Sequence, residues 1–380
     1  MKQKGKIIYV NFAPYENTGR ILDYIIDNFS LVILFTFDFH KLKDFHSNQI
    51  KIFRDRKLVR KIKLYRMPTP EILLFITLPL IAFLIAFQIL RYVIQFQKRY
   101  GKFDCYFSIN AFTAWIGNIL KKFNIVNKTI FWVWDYYPPG EPDWKIRLAR
   151  SIYWEFDKVS TKSSTKVIFL NKRLKELRKA IGVLPKRRLY PVIPIGTYPG
   201  KITFNKNRII GHFGVLKRSQ GLDLFFDNLE DIMTKIPNLK VEIIGSGPDE
   251  EYFKERAKKF SMVKFYGFVE QDKKINRIIN NWSIGLATYV PGESNGAYWT
   301  DPSKVKAYIN HGVPVITTYA TGFSKEIRRY KAGLIVDYYN SNEFIKAILM
   351  ILSRQKEFKR NSHNLAAKYY YKNIYKQLFI

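Results

Sequence analysis

The sequence predicts an α/β protein made of two Rossmann-like βαβ domains facing each other across a cleft. Three observations carry this. The chain has 380 residues, more than one hydrophobic core usually serves. Short apolar runs alternate with amphipathic stretches along both halves, as in βαβ units wound around parallel sheets. A stretch with three prolines and two glycines, from Leu189-Tyr190-Pro191 to Tyr198-Pro199-Gly200, interrupts the alternation and reads as a linker. The expected division is therefore 1–195 and 201–355, with 356–380 as an aromatic tail that could cross back onto the first domain.

In the first half, Ile7–Val10 reads as a buried strand, Gly19–Phe29 as a helix and Leu31–Phe35 as the next strand. Between Ile50 and Leu64, two β-like runs flank Arg54-Asp55-Arg56 and suggest a hairpin. A long apolar helix follows Pro70. Then come a strand over 104–109, a helix over 111–123, a strand over 128–134, a helix over 144–156 and a strand over 166–170. The second half restarts with strands over 209–213, 240–244, 263–266, 284–287, 313–317 and 334–336. Helices are expected between them over 222–236, 250–259, 271–280, 302–311 and 322–330, and a last one over 342–352 closes the domain.

Composition narrows the class. The single cysteine, Cys105, permits no intramolecular disulfide, which suits a reducing compartment, and it reads as a small buried residue. The histidines form no cluster with metal-ligand spacing, so no metal is expected. The N-terminal apolar run is short and lacks a small-residue cleavage site, so it reads as a strand and not as a signal peptide. The formal net charge is +33. Such a surplus favours an anionic partner, nucleic acid or membrane surface. No RNA- or DNA-binding motif is recognisable, so nucleic acid is not expected.

Ligands of open parallel sheets bind outside the carboxyl ends of the strands, and the informative residues lie just after strands. Gly211-His212-Phe213-Gly214 is followed by Lys217 and Arg218. A glycine turn, cations and a helix N-terminus suit a diphosphate, although a plain turn would look the same. Val241–Ile244 runs into Gly245-Ser246-Gly247-Pro248, and Lys264–Tyr266 into Gly267-Phe268-Val269. Finally, Asp301 can cap a helix that begins at Pro302. Lys304 would fall in its first turn, where a cation is disfavoured by the dipole unless an anion answers it. That position points to a bound phosphate or, more plainly, to a solvated lysine.

In order and spacing, these four segments resemble glycosyltransferase family 4 and its GT-B relatives. The resemblance covers 208–352 well. It covers the first half loosely, through strand order and the strand end Phe131-Trp132-Val133-Trp134-Asp135. It implies a nucleotide-sugar donor in the second domain, an acceptor in the first, no cofactor beyond the donor itself, and retention of anomeric configuration. Gly214, Lys217 and Arg218 would line the donor diphosphate. Gly245 would belong to the same donor site, Gly267, Phe268 and Val269 would border the nucleobase, and Ser303 and Lys304 would meet phosphate. The chain departs from the family in its Glu-x7-Glu pair, replaced by Trp299 and Ala307. The usual arginine is Val215 and the usual lysine is Gln220. Glu293 and Asp301 are the nearest carboxylates that could substitute, and loss of activity is the alternative.

Asp135 ends an apolar strand and could orient or deprotonate an acceptor hydroxyl, or merely cap the next turn. Ile72–Leu90 contains no charged residue and is long enough to span a bilayer. A span would split one sheet across the membrane, so the expectation is a helix lying in or dipping into the interface, with a buried core helix as the alternative. Basic residues from Arg54 to Arg66 precede it and suit an anionic surface. The expected setting is the cytoplasmic face of a membrane, with a lipid-linked or glycan acceptor.

Overall fold

The computed structural model describes residues 5–11, 16–38, 48–69, 73–134, 136, 137, 143–185, 189–204, 208–269 and 272–380. The chain divides into two compact units, Met1–Pro194 with Tyr375–Ile380, and Ile195–Ile374. Of the expected tail, only Tyr375–Ile380 joins the first unit.

The first unit holds β1 (Lys6–Asn11), β2 (Leu31–Thr36), β3 (Gln49–Arg54), β4 (Lys57–Lys63), β5 (Phe103–Ser108), β6 (Val126–Val133) and β7 (Lys166–Phe169). Their order is β4-β3-β2-β1-β5-β6-β7. The pairings are parallel apart from the edge, where β2, β3 and β4 run antiparallel. The expected hairpin turns at Asp55 and Arg56, whose φ values of 47° and 71° match the twist of the strands they join.

Before the C-terminal residues, the α-helices of this unit are α1 (Ile21–Asn28), α2 (Leu74–Tyr100), α3 (Ala111–Lys122), α4 (Trp144–Ser163) and α5 (Lys172–Ala180). Side chains of Asn110, Asp143 and Asn171 accept backbone N–H groups at the starts of α3, α4 and α5. α5 is additional to the helices expected from sequence. It is anchored by Arg178, whose guanidinium donates to both Asp157 oxygens on α4 at 3.0 and 2.8 Å, with both side chains buried. Cys105 is buried in β5, and burial pushes its thiol up to about 12.

Pro79 lies inside α2. The inner line of the helix, Ile85, Ile89, Val93 and Phe96, is buried in the core of the first unit, whereas Ile76, Leu80, Phe83 and Phe87 are exposed. The alternative of a fully buried core helix therefore does not hold. The C-terminal residues pack on the same unit. Tyr375 Oη donates to Gly19 O at 2.9 Å, and Lys128 and Lys166 donate to the carbonyls of Phe379 and Gln377 at 2.7 and 2.6 Å.

The second unit holds β8 (Ile209–Phe213), β9 (Lys240–Ile244), β10 (Val263–Phe265), β11 (Ile284–Ala287), β12 (Val315–Thr317) and β13 (Gly333–Ile335). All are parallel, in the order β10-β9-β8-β11-β12-β13. The helices are α6 (Leu222–Asp227), α7 (Leu229–Lys235), α8 (Glu250–Ala257), α9 (Asp272–Ile279), α10 (Gly296–Trp299), α11 (Ser303–Asn310), α12 (Ser324–Arg329), α13 (Ser341–Ser353) and α14 (Gln355–Lys368), followed by α15 (Tyr371–Ile374). The single helix expected over 222–236 is split at Asn228, whose side-chain amide donates to Leu224 O at 2.8 Å and competes with the helical bond there. Strand order reverses between β8 and β11. That reversal is the point at which such sheets take ligands.

Candidate active site

Gly214, Gly245 and Gly267 follow β8, β9 and β10, with φ values of 137°, 134° and 64°. Gly214 N donates to Ile244 O and Gly245 N to Gly267 O, both at 2.9 Å. A Cβ on Gly245 would stand 1.9 Å from the Gly214 carbonyl oxygen, so only glycine fits. Further on, Leu216 N donates to Ser246 O at 3.0 Å. The turns expected from sequence are thus laced into one ledge of backbone at the carboxyl edge of the sheet.

Lys304 belongs to this ledge and is not a solvated lysine. It is buried in the first turn of α11, a helix that no side chain caps. Its Nζ lies 3.5 Å from His212 Nε2 and 4.8 Å from the centre of the Tyr289 ring. A Cβ on Gly214 would come within 3.2 Å of its Cε, so the amine reaches the space that this glycine leaves open. Burial lowers the Lys304 ammonium to about 7, and burial beside Lys304 holds His212 well below the usual imidazole range. His212 sits on β8 and Tyr289 just past β11, so the cluster straddles the reversal of strand order. Sequence reasoning missed both residues. The available signal was their place at strand ends, with His212 between two glycines.

Asp301 departs from its expected part. It does not cap α11, whose N-cap is Pro302. Its carboxylate accepts from Ile195 N at 2.7 Å and pairs with Lys306 Nζ at 3.7 Å, with both side chains buried. Lys306 Nζ in turn lies 3.6 Å from the Phe323 ring centre and 4.3 Å from that of Tyr369. Burial raises the Asp301 carboxyl above its ordinary value. Asp301 is therefore held as half of an internal ion pair, the opposite of a carboxylate presented to substrate.

Arg218 is also spoken for. Its Nε lies 3.2 Å from Asp223 Oδ2 and its guanidinium 4.9 Å from the Tyr252 ring centre. Asp223 further accepts from Arg256 and from Tyr252 Oη at 2.9 and 2.8 Å. The expected diphosphate cation is thus drawn toward a carboxylate five residues along. Lys217, Ser303 and Phe268 are exposed, and Val269 is half-buried. Glu293 is exposed, and its backbone carbonyl accepts from Trp299 Nε1 at 2.8 Å. Trp299 is buried, so the position of the first family glutamate is filled by an indole anchoring the loop. Ala307 packs partly buried on the core behind α11. Asp135 lies outside the described residues. Among the described residues, no group of three His, Cys, Asp or Glu side chains is placed to hold a metal ion.

Residues 207–354 match the family model for glycosyl transferases group 1. No curated protein gave a significant match. Among solved structures, HepE of Anabaena, crystallised with UDP, is 15% identical with a TM-score of 0.62, and the alignment covers 98% of each chain. The same protein was also crystallised with UDP-glucose, and that structure aligns with a TM-score of 0.63 at 15% identity over 98% of each chain. Sucrose-phosphate synthase of Thermosynechococcus elongatus is 16% identical with a TM-score of 0.65, covering 99% of this chain and 96% of its own. The chain thus has the GT-B fold, and residues 207–354 of its second unit match the glycosyl transferases group 1 model.

Proposed function

We propose that the protein transfers a sugar from a nucleotide-sugar donor to a lipid-linked or glycan acceptor held at the cytoplasmic face of a membrane, with retention and without a metal. One observation carries the donor half of this reading. A buried lysine with no carboxylate beside it among the described residues ends at a glycine ledge, in the first turn of an uncapped helix, where strand order reverses. A buried ammonium is costly unless something answers it. A diphosphate seated at Gly214 would do so and would also meet the free N–H groups of α11.

Chemically, the leaving nucleoside diphosphate gains negative charge as the glycosidic bond breaks. Lys304, Lys217 and the helix N-terminus stabilise that charge electrostatically. HepE, a relative in fold, was crystallised with UDP and with UDP-glucose, which makes UDP-sugars the first donors to try. The test is a thermal-shift panel of UDP-, GDP-, ADP- and TDP-sugars. One of them should raise the melting temperature, and no response to any of them counts against the reading.

A second reading is a sugar-nucleotide-binding protein without transferase activity. Trp299, Ala307 and the sequestered Asp301 favour it, because they leave Glu293 as the described carboxylate of this loop that remains exposed. Release or transfer of sugar from the stabilising donor would eliminate this second reading.

A further inference from the structure

We infer that the N-terminal halves of α2 and α4 form one surface that docks on an anionic lipid leaflet, inserted to about the depth of that leaflet and not spanning the bilayer. The inference deepens the reading of a membrane-held acceptor and rests on it for what the surface serves. On α2, Ile76, Leu80, Phe83 and Phe87 are 74%, 49%, 64% and 50% exposed and follow one another at helical spacing along one line. On α4, Trp144, Leu148 and Ile152 do the same at 57%, 46% and 50%. The rings of Phe75 and Trp144 meet edge to face at 5.5 Å, which joins the beginnings of the two helices into one apolar face. An exposed face of this extent marks an interaction surface.

Charge and length identify the occupant. Beyond Phe87 the exposed positions of α2 are Arg91, Ile94, Gln95, Lys98 and Arg99, mostly polar or cationic, and Lys145 and Arg147, also exposed, flank the α4 line. An apolar tip backed by cations matches acyl chains beneath anionic headgroups. From Ile76 to Phe87 the helix rises about 17 Å, roughly half the hydrocarbon thickness of a bilayer. The other side of α2 is committed to the core through Ile85, Ile89 and Val93, so the helix cannot leave the unit to span. A second copy of the chain would bring two bodies of net charge +33 together.

The placement also has a direction. α2 leads into the amino end of β5, and α4 follows the carboxyl end of β6. The beginnings of both helices therefore lie toward the carboxyl edge of the first sheet, the edge at which such sheets bind ligands. A leaflet seated there would present its lipid headgroups beside the acceptor edge.

The test is flotation of the full chain with vesicles of mixed phosphatidylglycerol and phosphatidylcholine, and with phosphatidylcholine alone. It compares the wild type with Phe83→Ser/Phe87→Ser and with Leu189→Ser, an exposed apolar residue outside this face. Melting temperature serves as the folding control. The wild type should float with the anionic vesicles. The double variant should partition about tenfold more weakly or worse, and Leu189→Ser should match the wild type. Absence of wild-type binding, equal binding by the double variant, or a wild-type dimer that the double variant dissolves without any vesicle binding would each overturn the inference. Failure of the donor reading is separately visible, as no stabilisation by any nucleotide sugar while flotation persists.

Discussion

Lys304 Nζ lies 3.5 Å from His212 Nε2, with both side chains buried and neither facing a carboxylate within hydrogen-bond reach among the described residues. Where the family that the chain resembles carries cations, this sequence has Val215 and Gln220, and the Lys304 amine lies against the Gly214 turn. Lys304→Met keeps the length of the side chain and removes the charge. Donor affinity should fall about tenfold to a hundredfold, the worth of one charge-assisted hydrogen bond, while the melting temperature of the free protein holds or rises. Calorimetric titration with the stabilising nucleotide sugar measures the first, and a thermal melt the second.

The same residue predicts opposite pH trends for stability and for binding. Its ammonium titrates at about 7 in the fold, against an ordinary value of 10.5. Between these values the unfolded chain holds the extra proton, so raising the pH across that window relieves the burial cost and stabilises the fold. Below about 7 the charge is present in both states and the cost is paid in full. A diphosphate needs the charged form, so donor affinity should weaken as pH rises through about 7. Lys306, lowered to about 8 by burial, adds to the stability trend. The difference between wild type and Lys304→Met in parallel melts and titrations isolates the Lys304 share.

Asp301 and Lys306 should behave as structure and not as catalyst. Lys306→Met leaves the Asp301 carboxylate buried with the Ile195 N–H as its remaining partner, and should cost about 3–5 kcal/mol. Asp301→Asn should likewise lower the denaturation midpoint. A normal midpoint combined with loss of turnover in Asp301→Asn would restore Asp301 as a catalytic group.

Gly245→Ala places a methyl group 1.9 Å from the Gly214 carbonyl oxygen, at a φ that side chains rarely adopt. The two turns must then separate. The expected loss is about 3 kcal/mol or more, and donor binding should go with it. Gly267→Ala is the comparison, because among the described residues beyond its chain neighbours nothing lies within 4 Å of a Cβ there, leaving the positive φ of 64° as the remaining strain. It should cost about 1 kcal/mol. Equilibrium denaturation of the two variants checks the ranking.

The sheets were legible because buried parallel strands are short apolar runs, and the glycine ledge because close backbone approach leaves glycine no substitute. α5 was legible too. Asn171 before an amphipathic run is an ordinary helix start. The site was harder. Whether Lys304 is solvated or buried depends on His212 and Tyr289, brought in by two different strands. The fate of Asp301 depends on Ile195, far away in sequence. The Arg218–Asp223 pairing spans only five residues, yet it needs the turn at Gly221, where φ is 79°, to close. Local pattern fixes which segments reach the carboxyl edge. Partner choice among charges is a tertiary matter.

The second unit should hold a nucleoside diphosphate at the Gly214 ledge through Lys304. Calorimetric titration of the full chain with UDP, GDP, ADP and TDP, run on wild type and Lys304→Met, tests it most directly. One nucleotide should bind the wild type and bind Lys304→Met at least about tenfold more weakly. No binding by any of the four, or equal binding to both proteins, would contradict it.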